Sequence, residues 1–536
     1  MVTLGPMSTA AAPGGAPASG RAVAGPIDRV TFFEEQRRNR RRSWRISLLA
    51  VITVLATGIP VSIVVTPFIY VFLLLAGHIA NAIRPLDPAV MQRLHAVAYL
   101  IPHAVVRMGE TKSLAGVPAL IAPALVLVFP GAVVMLWLWL AVRITFRHTG
   151  VGGVLLRLGA REPHQDDLEE RQLVHLVEEM SIAAGVPAPR VLLIDVPAAN
   201  AAAIGTSLHD GAVVVTRGLL DTLDRDQAEA VIGHVVGSMG NGDLAIAQVL
   251  LSVYRTFGLL ELLLDSAFGW QSREGLWRLM RLAFRRRGTD VQVREAGELS
   301  DLLERKAVGD GPRDMDAYMA DPRHSSPGFF RSMIVLPKTI FVAMPASTAQ
   351  YAMWVSSTLL FGPAFAALWR ARRRLADASA VQLTRNPESL ASAIERLQQA
   401  DVYVRGGEWV SFLFATWGSG GGSSGGATFA SFQPSPAKRL KRLQAMGAAS
   451  RATRRLGTGM RIFLGVLWLI FAPLILLVMG LSVLVLAMMI MFDVAIMSVM
   501  LVGADAGLGA LFKYGPVLLH TYLPRAIRAV RGMLAR

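Results

Sequence analysis

Residues 228–243 read Ala-Glu-Ala-Val-Ile-Gly-His-Val-Val-Gly-Ser-Met-Gly-Asn-Gly-Asp. A helix that uses zinc to activate water follows the pattern His-Glu-x-x-His. Two imidazoles four residues apart share one face and hold the metal, and the Glu between them takes the proton of the water. Here His234 stands in the first ligand position, Val235 in the place of the general base, and Ser238 in the place of the second imidazole. The frame of such a helix is present without its reactive groups.

Outward from this helix the texture is that of a folded α/β domain from Gly150 to about Gly242. Asp224-Arg-Asp-Gln reads as an N-cap box for the helix carrying His234. Asp166–Ala184 repeats Leu168, Leu173, Leu176, Val177 and Met180 at helical spacing and stops at Gly185-Val-Pro187. Val191–Ile194 and Ala212–Thr216 are short β-branched runs flanked by Pro, Gly and Asp, hence strands.

The rest of the chain is mostly apolar. With 53% hydrophobic and 17% charged residues and a mean hydropathy of +0.46, much of it is expected in a bilayer. Ile46–Asn81 is uncharged, and Pro60 and Pro67 within it allow a kinked helix or a re-entrant element. A second span covers 117–140 and ends at Arg143 and Arg147. The +16 net charge gathers beside apolar spans, in Arg37–Arg45, Arg370–Arg374, Lys438–Arg455 and Arg525–Arg536. Basic flanks on the cytoplasmic side account for this, so the N-terminus and the domain are expected inside. With no basic-aromatic module, nucleic acid is not expected as a partner. There are no cysteines, which excludes disulfides, thiolate-bound zinc and thiol catalysis.

The reading gives these segments: a disordered tail at 1–28, an N-terminal transmembrane region at 29–149, and a domain at 150–447. A C-terminal membrane hairpin at 461–512 and a basic amphipathic tail at 513–536 complete the chain. Within the domain, 271–335 reads as an insertion or flexible lid and 418–426 as a Gly/Ser loop. Leu244–Trp270, interrupted by Arg255, Glu261 and Asp265, is expected to lie on the surface or re-enter rather than span. Thr339–Trp369 is uncharged and broken by Pro345 and Gly362-Pro363. Asp493, a lone acid in the C-terminal apolar region, is expected at a helix end near the interface.

Several blocks in the same order resemble the HtpX-like and CAAX-prenyl-protease group of integral-membrane zinc metallopeptidases. They are Asn200–Gly205, Ala212–Leu220, Asp226–Asp243, Arg372–Pro387 and Pro434–Gly447. The resemblance implies an α+β, mainly helical fold: a multi-pass membrane protein with a cytoplasmic zincin-like domain. It also implies that the third zinc ligand belongs at Arg373, and that Asp377 takes the place of the acid that orients the first histidine. Arg373 is expected to pair with Asp377 one turn away. The family's extended peptide would lie along a strand edge whose groove candidates here are Asn200, Ala203, Gly205 and Val214.

A guanidinium cannot ligate a metal, and one imidazole cannot hold a catalytic zinc. With the general base and two ligands replaced, the expectation is a catalytically inactive homologue without bound zinc. It would sit in a bacterial inner membrane and bind polypeptide or membrane-protein partners. The alternative is an active membrane zinc endopeptidase in membrane protein quality control. A Ser238-His234-Asp377 triad is the weaker idea, because side chains at i and i+4 run parallel and no nucleophile elbow is visible. His175-Leu-Val-Glu-Glu lacks the second His of an inverted zinc motif, and 418–426 has no Lys-Ser/Thr to make a phosphate loop. Nothing in the sequence sets an oligomeric state.

Overall fold

The computed structural model describes residues 32–110, 121–146, 150–284, 290–308, 313–321, 335, 338–405, 408–416, 432–449 and 458–534. The expected N-terminal tail 1–28 and the Gly/Ser loop 418–426 lie outside these residues.

Long uncharged runs become long helices. α1 (Phe32–Ile83) is one helix that contains both Pro60 and Pro67 and does not re-enter. It is followed by α2 (Pro88–Ala98), α3 (Leu100–Glu110) and α4 (Ile121–Phe146). α4 crosses α1 at Gly131, where a Cβ would come 2.2 Å from the Ser62 carbonyl oxygen. The Gly131 N–H donates to Thr66 Oγ1 at 3.0 Å. A small residue and a hydrogen bond at a crossing are how membrane helices approach closely without a hydrophobic drive between them.

The domain begins with α5 (Gly150–Arg157) and β1 (Ala160–Arg161). α6 (Leu168–Ala184) is capped by Asp167, whose carboxylate accepts from the N–H groups of Glu169 and Glu170, and is ended by Gly185 at φ 65°. Three further strands follow: β2 (Arg190–Ile194), β3 (Ala201–Ile204) and β4 (Ala212–Thr216). The sheet order is β1-β2-β4-β3, with β2 and β4 parallel and the outer pairs antiparallel. α7 (Arg217–Thr222) turns the chain into α8 (Arg225–Gly240), which carries His234. Side-chain alternation divides the sheet between two layers. Val213 and Val215 face α6 and α8, while Ala212 and Val214 join a core with α9 (Asp243–Asp265) and Trp369.

α9 departs from the sequence expectation. It is enclosed by protein rather than lying on a surface, and its charges are paired inside. Arg255 meets Glu304 at 2.9 Å, Asp265 meets Lys306 at 2.8 Å, and Glu261 meets Arg313 at 3.0 Å. The partners come from the stretch read as a lid. That stretch forms α10 (Trp270–Phe284), α11 (Asp290–Val308) and α12 (Asp314–Ala320). α11 comes so close to α9 that a Cβ on Gly258 would lie 1.9 Å from the Leu303 carbonyl oxygen. Mixed charge, which read as solvent exposure, here matches acids and bases across a buried helix interface.

The prolines of the next segment also fail to break it. Thr339–Thr384 continues as helix, with π-helical turns at Thr339–Ala343 and Ser357–Phe361 just before Pro345 and Pro363. A wider turn accommodates the missing N–H and the ring. Its regular parts are α13 (Met344–Ser356) and α14 (Gly362–Thr384), followed by α15 (Pro387–Gln399) and α16 (Pro436–Ala445). The expected C-terminal hairpin is instead one helix, α17 (Thr458–Leu534). Its apolar part is long enough to cross a bilayer twice, but no turn divides it. Asp493 lies within α17, buried against Thr348 of α13, and not at a helix end.

Among the described residues, five helices are long and apolar enough to span a membrane: Val54–Ile83, Ile121–Phe146, Asp243–Asp265, Thr339–Thr384 and Ile462–Gly507. The molecule is an integral membrane protein of mainly helical α+β architecture with a small mixed sheet.

Candidate functional site

The capping box at the start of α8 forms as the sequence implied: Asp224 accepts from the Gln227 N–H, and the Gln227 side chain accepts from the Asp224 N–H. From Gln227 to Met239 nearly every residue is buried. α8 and α14 touch through glycines. A Cβ on Gly237 would lie 2.8 Å from Ser379 Cβ, and one on Gly233 would lie 3.4 Å from Thr384 Cγ2. This close approach sets His234 directly against Arg373 and Asp377.

His234 is fully buried, with Nδ1 2.9 Å from Asp377 Oδ1. Its other nitrogen, Nε2, lies 3.2 Å from Arg373 Nη1. Arg373 Nη2 donates to the carbonyl oxygens of Phe412 and Phe414 at 2.7 and 2.8 Å. The guanidinium stands over the Trp369 ring at 5.4 Å from its centroid. Asp377 receives two bonds from Arg439, Nε to Oδ2 at 3.0 Å and Nη2 to Oδ1 at 2.6 Å. Arg439 Nη1 also donates to the Ala415 carbonyl at 2.9 Å. Beside them Arg372 donates to Asp243 at 2.5 Å and to the Asn241 carbonyl.

Burial in this setting lowers the His234 pKa to about 4, with the positive charges of Arg439 and Arg373 acting the same way and Asp377 opposing them. The imidazole is therefore neutral at neutral pH. Its proton sits on Nδ1, toward Asp377, and the Nε2 lone pair accepts from Arg373. A zinc bound to Nε2 would lie 2.0–2.1 Å from it. The Arg373 guanidinium fills that direction.

The other positions singled out in the sequence are placed as follows. Val235 is buried in the apolar layer between α8 and the sheet. Ser238 Oγ donates to the Val235 carbonyl at 2.8 Å, back along its own helix, so no Ser-His-Asp relay forms. Arg373 does not pair with Asp377, which Arg439 holds instead. Among the described residues, no cluster of three metal-ligating side chains includes His234.

The peptide-groove expectation meets a second correction. Asn200 Nδ2 donates to the carbonyls of Val402 and Thr416 at 2.9 and 2.8 Å. Ala203 and Val214 are buried within β3 and β4, and Gly205 is buried just after β3. The outer edge of β3 is covered by the chain itself. Phe414 pairs with Ala202 in an antiparallel bridge, and the Ala415 N–H donates to the Ala201 carbonyl at 2.8 Å. Residues 412–416 thus lie on the strand edge and at the same time supply the carbonyls that receive Arg373.

Sequence reasoning did not assign a role to Arg439, Arg372, Asp243, Trp369 or Phe412–Phe414. Three of these stood in quoted blocks: Asp243 at the end of Asp226–Asp243, Arg372 at the start of Arg372–Pro387, and Arg439 in Pro434–Gly447. Arg372 and Arg439 had been counted as basic membrane flanks, yet both are buried against acids. No local signal in the sequence marks the carbonyl oxygens of Phe412 and Phe414 that accept from Arg373.

The profile of Peptidase family M48 matches residues 167–293. Relatives carrying the name Protease HtpX homolog include one from Levilactobacillus brevis, 29% identical over 46% of this chain and 64% of its own length. Another, from Dictyoglomus thermophilum, is 30% identical over 46% of this chain and 59% of its own length. A third, from Dictyoglomus turgidum, is 31% identical over 45% and 57%. The chain thus spans about six-tenths of the length of these relatives. No solved structure gives a significant match. In its matched domain, its ordered motif blocks and its membrane helices, this chain is similar to the HtpX-like members of peptidase family M48.

Proposed function

We propose that this chain is a membrane-anchored peptidase homologue that does not hydrolyse peptides and holds no zinc at His234. In this reading it works by binding polypeptide or membrane-protein partners. The observation that carries it is the seat of Arg373, whose Nη1 lies 3.2 Å from the one ring nitrogen a zinc would need. A divalent ion 4 Å from that guanidinium would be repelled by roughly 8 kcal/mol at an effective dielectric of 20. The residues around His234 supply no second imidazole, no third ligand and no general base, so they do not fit a catalytic zinc. Residues 412–416 add a second barrier, because a client that pairs with β3 must displace them or dock elsewhere. The basic run Arg37–Arg45 in the first turns of α1, ahead of its apolar part, supports a cytoplasmic N-terminus in a bacterial inner membrane.

The rival reading is an active zinc endopeptidase in membrane protein quality control, and it rests on the printed name of the relatives. Casein cleavage by the purified full chain separates the two. The unaltered chain is expected to be inactive, and a Val235→Glu, Ser238→His, Arg373→Glu variant to cleave in a zinc-dependent way. Chelator-sensitive cleavage by the unaltered chain, abolished in His234→Gln, would overturn the proposal.

A further inference from the structure

A second set of metal-ligating side chains sits where α1, α2 and α17 converge. His78 Nε2 lies 3.0 Å from Asp505 Oδ1. His95 Nδ1 lies 2.8 Å from each of the two Asp505 oxygens. The two imidazoles meet edge to face at 5.6 Å between centroids, and one ligand atom from each residue falls within 4.8 Å of the others. The side chain of His78 is 3% exposed, that of Asp505 11% and that of His95 46%. The cluster is therefore walled on two sides and open on the third.

The backbone is arranged to bring these groups together. Gly77, next to His78, faces Leu94, next to His95; a Cβ there would lie 2.4 Å from Leu94 Cδ2. The turn joining the helices is held by Asn81 Oδ1, which accepts the Leu86 N–H at 2.9 Å, and by Asp87, which caps α2 through the Ala89 N–H at 2.7 Å. Asp505 belongs to the apolar stretch Ile462–Gly507. A carboxylate in such a place is expensive to keep, and it is retained where it binds an ion, relays a proton or meets a fixed partner. His95 Nδ1 stands equally near both carboxylate oxygens, a seat that one N–H, which can point at only one of them, fills poorly.

We propose that His78, His95 and Asp505 form a binding site for a divalent transition-metal ion of the zinc class. Two imidazole nitrogens and a carboxylate are a donor set such ions favour, and three protein ligands leave a fourth position open on the side of His95. Metal–ligand bonds of about 2.0–2.2 Å in a tetrahedron put ligand atoms roughly 3.3 Å apart. The His–Asp separations of 2.8–3.0 Å require only small outward movements, and all three ligand atoms already lie within 4.8 Å of one another. On binding, His78 Nε2 and His95 Nδ1 present lone pairs and each ring keeps its proton on the other nitrogen. The plain alternative is a metal-free trio in which both imidazoles donate to the carboxylate. The site shares no residue with His234 and stands whether or not the peptidase centre is silent.

The test uses the full chain in detergent, stripped with chelator and titrated with Co²⁺ alone, followed by the visible ligand-field bands of four-coordinate cobalt. One ion per chain is expected, displaced by Zn²⁺. His95→Ala and Asp505→Asn are expected to weaken binding by roughly a hundredfold and to abolish the bands, while His234→Gln leaves both unchanged. His95 is half-exposed, so His95→Ala folds, and its thermal unfolding checks this. Absence of stoichiometric uptake, or uptake that survives His95→Ala, overturns the site. Uptake lost in His234→Gln and kept in His95→Ala would sink both this inference and the silent-centre proposal. Uptake kept in His234→Gln and lost in His95→Ala leaves the proposed function to its own cleavage assay.

Discussion

Replacing Arg373 by Met and by Glu separates a pocket built around a cation from one that merely tolerates it. In Arg373→Met the volume is largely kept and three acceptors lose a donor. Two of them have others: Phe412 O accepts from Trp369 Nε1 at 2.7 Å, and Phe414 O from Gln433 Nε2 at 2.8 Å. His234 Nε2 is left without its donor, at a cost of about 1–3 kcal/mol. Relief of the buried guanidinium's desolvation offsets part of that, so the net loss is expected at about 1–2 kcal/mol. In Arg373→Glu a carboxylate faces the Phe412 and Phe414 carbonyl oxygens and the Nε2 lone pair, all acceptors. An uncompensated buried charge of this kind costs about 3–5 kcal/mol. Unfolding midpoints in detergent, followed by circular dichroism, rank the variants. Met close to the parent and Glu well below it is the expected order. A Glu variant as stable as the parent without added metal would refute the claim that this pocket is organised around a positive charge.

Further outcomes follow from other parts of the molecule. His234 titrates at about 4 when folded and near 6.5 when unfolded, so the unfolded chain takes up its proton first. Its contribution is intact above pH 6.5 and falls by about 3 kcal/mol as the pH drops to 4; His234→Gln should flatten acid destabilisation over that window. Gly258→Ala drives a methyl into the Leu303 carbonyl and should lower stability by at least about 1–3 kcal/mol in thermal unfolding, whereas a detached lid would leave it unchanged. Lys306→Met takes the cation from buried Asp265, leaving it Ser272 Oγ and the Asp314 and Met315 N–H groups, and should cost up to about 3–5 kcal/mol, read by the same unfolding assay, if α11 is part of the core. Ala415→Pro removes the N–H that bonds Ala201 and should raise protease sensitivity near residue 415 while exposing the β3 edge to an extended peptide, measured by fluorescence anisotropy.

Local signals in the sequence were sufficient where structure is local. The Asp224 capping box, the Asp167 cap, the Gly185 stop and strands β2 and β4 all follow from residue type and spacing within a few positions. Long-range pairing was not legible. The charges in α9 and α11 each read as signs of solvent because neither segment announces the other; only the fold matches Arg255 with Glu304. The same holds for Arg372 and Arg439, which resemble membrane-flanking cations until Asp243 and Asp377 come into view. Prolines misled in a different way, since the π-helical turns before Pro345 and Pro363 absorb them within a continuous helix. At the site, sequence gave the identity of the replaced groups but not the partner of Arg373, because backbone carbonyls carry no side-chain signature.

The residues kept and replaced around His234 divide along a physical line. Those kept also hold helices together: Asp377 ties α14 to α8 through His234 and to α16 through Arg439. Loss of either contact would strand a buried carboxylate, so these groups have a structural reason to remain without a metal. Val235 now adds apolar contact with the sheet, and Ser238 satisfies its hydroxyl on its own helix. On the proposed reading, Arg373 takes over a task that an ion would have at this junction. It brings positive charge to Nε2, fixes the imidazole tautomer from that side, and ties the residues 412–416 to the helix pair. A charge of one with directed N–H bonds can hold such a junction as a divalent ion would, but it offers no open coordination position for water. On the proposed reading, structural integrity and the absence of hydrolysis are two consequences of the same side chain.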